Sequence, residues 1–401
     1  MKIRLFCFII CLSNMLPVYG QMGCTDPQAS NYNATALLND GSCVYANTTL
    51  TTNTVTTLAT PLLDECSGLI ATNGNVWMHV DDTDNRLFKV DITTGDTLQS
   101  TMLQATNIDW EDLGADSNNV YIADIGNNSG NRTNLQFYKA PLLTLLLPLA
   151  SVQSIAFNYA DQVTFTPSLN NTPWDAEAFY INNDSIHLFT KDWVTKYTKH
   201  YIIPAIAGNY TATLVDSFYV GGLITSAAID KAGTIVLLGY DNTITAPCFV
   251  WMLYDYKPGR IFSGNKRKFN LGSAISLGQT EGITFTGNGM GYITNERFTQ
   301  LIINVPPTLR SFDINPYISA TSGMSDNIID TPKIVCSGTQ ISISHQIESE
   351  IPLEVYDMYG KLYAQLKIQQ GQTQSFDFAD TGTYLIVAPF KNIKPLLVVK
   401  L

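Results

Sequence analysis

The chain has 401 residues, 45% of them hydrophobic and only 14% charged, with 20 Tyr, 18 Phe and a formal net charge of −11. That is enough chain for roughly two to four domains with a large buried core, and too aromatic and charge-poor for disorder. The acidic balance excludes nonspecific nucleic-acid or anionic-membrane binding through basic patches, four histidines exclude a His-rich metal site, and the abundance of Thr, Asn, Ser and Gly reads as a turn-rich β protein.

Met1-Lys2-Ile3-Arg4 is a short basic start. Leu5 to Leu12 is an apolar stretch too short to span a bilayer. Val18-Tyr19-Gly20 then places modest residues ahead of a cut before Gln21. Residues 1–20 therefore read as a secretory signal peptide. Cleavage removes Lys2 and Arg4 and takes the charge to −13. No other apolar run is long enough to span, and Leu142 to Ala150 is broken by Pro148, so no transmembrane segment is expected in the mature chain. Five cysteines remain: Cys24, Cys43, Cys66, Cys248 and Cys336. Export permits disulfides, and an odd count leaves at least one thiol unpaired. Cys24 could alternatively be a lipidation site, but Gln21-Met22-Gly23 is a poor lipobox.

Residues 21–45 form a distinct module. Cys24 and Cys43 bracket a short loop dense in Asp, Asn and Gly, and a disulfide closing it would contribute about 3 kcal/mol. Asp26, Asn31, Asn33 and Asp40 offer short oxygen-bearing side chains. Such oxygens suit Ca²⁺, or they cap their own turns. The lack of an acidic residue at the far end, where a bidentate ligand would sit, favours the turns. The segment GCTDPQASNYNATALLNDGSC closely resembles a repeat of secreted Bacteroidetes proteins. Residues 46–63 are rich in Thr and Asn and read as a linker, becoming a strand near Val55 to Leu58.

From residue 64 one pattern recurs. Five apolar starts occur at Cys66-Ser67-Gly68-Leu69, Trp110-Glu111-Asp112-Leu113, Ala176-Glu177-Ala178-Phe179, Thr225-Ser226-Ala227-Ala228 and Thr280-Glu281-Gly282-Ile283. Each leads into a second strand: Val76 to His79, Val120 to Ala123, Ser185 to Phe189, Thr234 to Leu238 and Gly291 to Thr294. Third strands are expected at Leu87 to Val90, Leu135 to Tyr138, Tyr201 to Ile203, Phe249 to Met252 and Leu301 to Ile303. Fourth strands are expected at Ser154 to Asn158, Thr213 to Val220 and Arg267 to Leu271. Four-stranded units repeating at tens of residues, none able to bury its faces alone, are the signature of a β-propeller. The predicted fold class is all-β: a propeller over 64–316 with five blades, six as the alternative because the 66-residue interval before Ala176 could hide one, followed by a small C-terminal β-sandwich. A pair of β-sandwiches is the competing arrangement. Asn107 to Leu113, Tyr121 to Asn128, Asp175 to Ala178 and Thr190-Lys191 give this stretch a resemblance to a propeller family of secreted bacterial proteins. That likeness implies a fold and no settled activity.

The first strand of a propeller blade lines the central channel. The aligned positions are Ser67, Glu111, Glu177, Ser226 and Glu281, with Asp109, Asp112, Asp124 and Asp175 nearby in sequence. Carboxylates gathered on one ring repel, and need a cation, a shared proton or a cationic ligand. This points to a polar-ligand or metal site at the channel mouth. Against it stands a structural use, in which these Glu side chains bind backbone amides of neighbouring blades. Two such carboxyls about 5–10 Å apart could also cleave a glycosidic bond, with Trp110, Trp174 or Trp193 stacking on sugar rings. No glycosidase signature, phosphate loop or nucleophile elbow is present. Gly287 to Gly291 reads as a hairpin turn. His79 and His187, on corresponding strands, read as packed histidines rather than paired ligands. Lys266-Arg267-Lys268 reads as a solvated turn.

Residues 317–335 read as a second linker. The remainder, 336–401, shows short strands at Thr339 to Ser344, Pro352 to Tyr356, Leu362 to Ile368, Gln374 to Phe378, Gly382 to Ala388 and Pro395 to Leu401. Leu353 to Lys361, Phe378 to Val387 and the terminal Val398-Val399-Lys400-Leu401 resemble the C-terminal sorting domain of the Bacteroidetes type IX secretion system. The usual opening Pro-Asn-Pro is replaced by Thr331-Pro332-Lys333. The resemblance implies periplasmic passage, engagement of the type IX machinery through 336–401, and delivery to the medium or the outer-membrane surface. The functional expectation is a binding or interaction module for a glycan or surface protein. The alternative is a glycan-active hydrolase.

Overall fold

The computed structural model describes residues 21–318 except 244, and strands between 334 and 400. Residues 1–20, read above as a signal peptide, and Thr331-Pro332-Lys333 lie outside the described residues. The chain divides into two units, Met1–Ser319 and Ala320–Leu401.

The first unit is a five-bladed propeller. Blade 1 runs Cys66–Thr72, Asn75–Val80, Arg86–Val90 and Thr97–Leu103. Blade 2 runs Trp110–Ala115, Asn119–Asp124, Gln136–Pro141 and Gln153–Tyr159. Blade 3 runs Ala176–Asn182, Ser185–Thr190, Tyr197–Pro204 and Gly208–Tyr219. Blade 4 runs Leu223–Ile229, Ile235–Tyr240, Pro247–Tyr254 and Asn265–Ser273. Blade 5 takes Gln279–Gly287, Met290–Glu296 and Thr308–Asp313, and its outer strand is Asn53–Thr57 from the N-terminal side of the ring.

The first strands of successive blades touch in a closed cycle, the fifth meeting the first. Five apolar clusters fill the five gaps between blades. Trp77 and Leu87 meet Trp110 and Ile122 between blades 1 and 2. Phe137 and Phe157 meet Phe179 and Leu188 between blades 2 and 3. Tyr180 and Phe189 meet Ile224 and Leu237 between blades 3 and 4. Val236 and Phe269 meet Ile283 and Phe312 between blades 4 and 5, and Leu309 meets Leu69 and Phe88 where the ring closes. Neighbours along a strand feed opposite cores, as Val236 and Leu237 do, because side chains alternate across a strand. Each sheet is thus buried on both faces, which explains the apolar second strands. The outer strands of blades 2 and 3 also pair directly, Ile155–Tyr159 with Gly208–Ala212 in parallel, while residues 160–175 fill the long interval as a loop. No sixth blade is hidden there.

Three elements depart from expectation. Leu301 to Ile303 is no blade strand: it forms the tip of a side hairpin, Phe298–Gln300 with Ile303–Val305, and Leu301 and Ile302 are almost fully exposed. Residues 46–63 do more than link, since Thr48–Thr49 extends blade 4 and Asn53–Thr57 completes blade 5. Lys266-Arg267-Lys268 lies within the outer strand of blade 4, not on a solvated turn. Arg267 is buried over the rings of Tyr45, Phe269 and Tyr317, and the Lys268 ammonium lies 4.0 Å from the Phe249 ring centroid.

The N-terminal module is closed by the Cys24–Cys43 disulfide and docks on blade 4. Asp26 accepts hydroxyl hydrogen bonds from Tyr45 and Tyr254, and Asn39 Nδ2 donates to Asn265 Oδ1 at 2.9 Å. The second unit contains two antiparallel sheets, one of Ile334–Ser337, Gln340–Ile343 and Thr373–Ser375, the other ordered Leu362–Ile368, Ile351–Asp357, Gly382–Val387 and Leu396–Lys400. This is the small sandwich expected, with Leu353 and Val355 buried. Among the described residues no helix is long and apolar enough to cross a membrane.

Candidate functional site

Every inner strand is broken by a bulge near its start. In blade 2, Ala123 opposes Asp112 and Asp124 opposes Trp110, so Glu111 is left without a cross-strand partner. Glu177, Thr225 and Glu281 are the unopposed residues in blades 3, 4 and 5, and Ser67 with Gly68 in blade 1. A bulge re-aims its extra residue. Here it turns four side chains toward one end of the channel: Ser67, Glu111, Glu177 and Glu281 all line a cavity of about 310 Å³. Ser226, aligned with them from sequence, is one position too far along. The bulged residue of blade 4 is Thr225, and Ser226 sits deeper, outside the cavity lining.

That deeper layer closes the channel. The next position along each inner strand after Ser67, Glu111, Glu177, Thr225 and Glu281 is Gly68, Asp112, Ala178, Ser226 and Gly282. Four are small and one is a carboxyl. Asp112 is fully buried. It accepts from Leu113 N at 2.9 Å and from Ser226 Oγ at 3.1 Å, with longer approaches from Phe179 N and Ala227 N at 3.5 Å. Ser226 Oγ in turn accepts from Ile283 N. A Cβ at Gly68 would come within 2.4 Å of Leu113 N, so the layer has no spare room. One carboxyl thus ties blades 2, 3 and 4 at the axis. The tie to neighbouring amides, expected of the Glu ring, belongs to Asp112.

Asp175 works similarly at the cavity wall. It accepts from Asn127 N at 2.7 Å and from Ala176 N at 3.1 Å, and from Trp193 Nε1 at 2.8 Å, which fixes the indole at the cavity edge. Asp109, half-buried, lies beside Glu111 against the bare backbone of Gly126, where a Cβ would come within 2.0 Å of Glu111 Oε1 and 2.4 Å of Asp109 Cγ.

The rest of the lining comes from the ends of second strands and from loops. Lys191, Tyr240 and Glu296 end or follow the second strands of blades 3, 4 and 5, and Asp81 follows that of blade 1 at the exposed rim. Asn128, Asn170 and Gln279 add amides. All five blades contribute. Lys191 is buried, binds Glu177, and lies 5.1 Å from the Trp193 ring centroid and 5.6 Å from that of Tyr240. Gln279 Nε2 donates to Glu281 Oε1 at 2.5 Å. Burial pushes the carboxyls up. Glu281 rises to about 7, opposed by Lys191 and by the Gln279 hydrogen bond. Asp109 rises to about 6, with Asp81 adding repulsion. Glu111, Glu177 and Glu296 are held well above the usual carboxylate range by desolvation, with like charges adding to it. Desolvation and like charge act in the same direction, and a neighbouring cation acts against them, as Lys191 does at Glu177.

Sequence reading found Ser67, Glu111, Glu177 and Glu281 from the repeat, and Trp193 as an aromatic. It missed Lys191, Tyr240, Glu296 and Asp81 as lining. Their signal was a second repeated position, the end of each second strand. Trp110 is buried, with its indole donating to Thr106 O at 3.2 Å. Trp174 packs on Tyr159 beneath the Lys199 ammonium. Neither lines the cavity, so neither can stack on a ligand there. His79 accepts from Gly68 N at 3.1 Å, and His187 bonds to His200 at 2.9 Å. In the N-terminal module, Asp26 accepts from Gln28 N, Asn31 from Val44 N, Asn33 from Thr35 N and Asp40 from Ser42 N. Each of these oxygens caps backbone within the module. Among the described residues, no three acidic, His or Cys side chains are placed to hold a metal ion.

No family model matches the chain, and no curated protein matches it. Solved structures resemble it at low identity. A PQQ-bound aldose sugar dehydrogenase from Streptomyces coelicolor is 9% identical with TM-score 0.38, covering 66% of this chain and 98% of its own. A protein of unknown function from Bacteroides caccae is 14% identical with TM-score 0.32, covering 57% and 70%. Hydrazine synthase from Kuenenia stuttgartiensis is 10% identical with TM-score 0.34, covering 84% and 96%. The propeller itself is defined by the closed cycle of inner strands, and no chemistry is carried over from these likenesses.

Proposed function

We propose that the protein is a secreted or cell-surface binding protein whose ligand enters the cavity at the channel mouth. The observation that carries this reading is the division of labour among the acidic residues. Asp112 and Asp175 spend their oxygens on the ring. Glu111, Glu177 and Glu281 are instead turned by bulges into a cavity lined from all five blades. Delivery rests on the sequence resemblances: a signal peptide at 1–20, a clipped Bacteroidetes-type module, and a sorting domain at 336–401 that engages the type IX machinery. The clipped module docks on blade 4 and serves as a stay for the strand that closes blade 5. Its Asp and Asn oxygens leave Ca²⁺ a subordinate proposal.

A second reading, a glycan-active hydrolase, draws on Glu281. A carboxyl near 7 is poised to donate a proton, and Glu177 and Trp193 share its cavity. Glycan and peptide arrays, run beside a hydrolysis screen, separate the two. Wild type and Glu111→Gln, Glu177→Gln and Glu281→Gln should differ in binding, with no turnover by any. If all four bind alike, the acidic cavity is not the site. Turnover that is lost in Glu281→Gln establishes the hydrolase. Removal of residues 327–401 should leave the protein in the periplasm; the same truncated chain in the medium would disprove the sorting role.

A further inference from the structure

The well is unevenly satisfied. Glu177 is paired with Lys191, Asp81 and Asp109 feel Lys191 and Arg132, and Glu111 has no cation beside it. Glu111 is only 5% exposed, lines the cavity, and among the described residues no group donates a hydrogen bond to its carboxyl. Glu177, Asp81, Asp109 and Asp175 all lie within electrostatic reach of it. A buried carboxyl with neither donor nor counter-ion is costly, and folding alone gives no reason to keep it.

Lys191 shows what the well stabilises. Its ammonium sits on the Glu177 carboxyl and near the rings of Trp193 and Tyr240. Carboxylate and aromatic faces around one ammonium form a cation cage. Glu111, at the same bulge position of the adjacent blade, repeats the carboxylate without the cation. We propose that the cavity binds an organic cation, a primary ammonium or a guanidinium, seated against Glu111 with Asp109 and Asp81 beside it.

Size and geometry agree with that chemistry. About 310 Å³ suits a group the size of one long side chain. A bare divalent ion needs roughly six or more oxygens converging near 2.3–2.6 Å, whereas the carboxylates here are spread around a cavity and no three converge. An ammonium or guanidinium is satisfied by one or two carboxylates. Lys191, held on Glu177, already fills one cation position in the cavity and leaves Glu111 for a second. The inference rests on the cavity being a binding site.

The test uses the mature chain, residues 21–401, in calorimetric titration. The probes are agmatine, cadaverine and a neutral peptide with one lysine; the controls are the same peptide with that lysine acetylated, and maltotriose. At least one cation should bind saturably. Acetylation should weaken the peptide at least tenfold, and Glu111→Gln should weaken the bound cation at least tenfold while the protein stays folded. Binding of the free amines identifies a small-molecule source; binding of the peptide alone identifies a lysine-bearing polypeptide. Maltotriose binding with no cation bound overturns the cation inference and leaves the binding site standing. Cation affinity unchanged in Glu111→Gln overturns the placement. If no probe or control binds, the cation inference fails, and the arrays above then decide whether the binding reading fails with it.

Discussion

Asp112→Ala should loosen the whole ring. The carboxyl is fully buried and receives Leu113 N at 2.9 Å and Ser226 Oγ at 3.1 Å, with two further amides at 3.5 Å. Each buried donor left without an acceptor costs about 1–3 kcal/mol, the two long contacts at the low end. Deleting a carboxyl that burial already holds well above its usual range returns part of that. The orphaned donors still win, because Gly68 and Gly282 are packed too tightly against neighbouring backbone to let the layer collapse. A net loss of about 3–5 kcal/mol follows, or roughly 5–10 °C in melting temperature for a domain of this size. Asp112→Asn keeps an acceptor of the same shape and should lose less than half as much. Thermal unfolding followed by near-ultraviolet circular dichroism reads both. Asp112→Ala within about 2 °C of wild type, or Asp112→Asn as damaging as Asp112→Ala, would refute the axial tie.

Glu281 carries a pH signature. Its carboxyl titrates near 7 in the folded protein, above the ordinary range, so its protonated form favours the folded state at low pH. That contribution is lost as pH rises from about 4.5 through 7. Wild type should therefore lose stability relative to Glu281→Gln across this window, and a flat or rising difference contradicts the raised value. His79 and His187, lowered by burial to about 4 and about 3, act in the opposite sense, but they are common to both proteins and cancel. Reduction of Cys24–Cys43 should free the module while leaving the blades intact, since the bond closes only residues 24–43. Limited proteolysis should then cut within 25–42 in reductant and not without it. Deleting residues 21–58 removes the outer strand of blade 5 and should abolish cooperative unfolding; a sharp, unshifted transition in that variant would show the closure to be dispensable.

The inner strands were legible because each joins a small or apolar start to a run buried on both faces. The bulges were half legible. Glu111, Glu177 and Glu281 stood at one repeated position, but Thr225 and Ser226 are both small and polar, and only the pairing of Ile224 and Ser226 with Gly239 and Leu238 tells them apart. Leu301-Ile302-Ile303 read as a strand because apolar runs usually are. Its exposure comes from Thr308–Asp313 taking the third place in blade 5 instead. The outer strand of blade 1, Thr97–Leu103, escaped notice because an outer strand is half exposed and mixes polar with apolar residues. The closure by Asn53–Thr57 was hidden by sequence distance: that strand pairs with one some 250 residues later. Lys191 and Glu296 stand at the ends of second strands, 14 and 15 residues after Glu177 and Glu281, a position that strand alternation alone does not mark as facing the ring.

The central claim is that the well keeps its carboxylates for a ligand and that the ring does not need them. The most direct measurement is the melting temperature of Glu111→Gln without ligand. Glu111 is buried, and among the described residues no group donates to its carboxyl, so neutralising it should leave the midpoint unchanged or raise it. A fall comparable to that of Asp112→Ala would place Glu111 among the residues that hold the blades together and contradict the account.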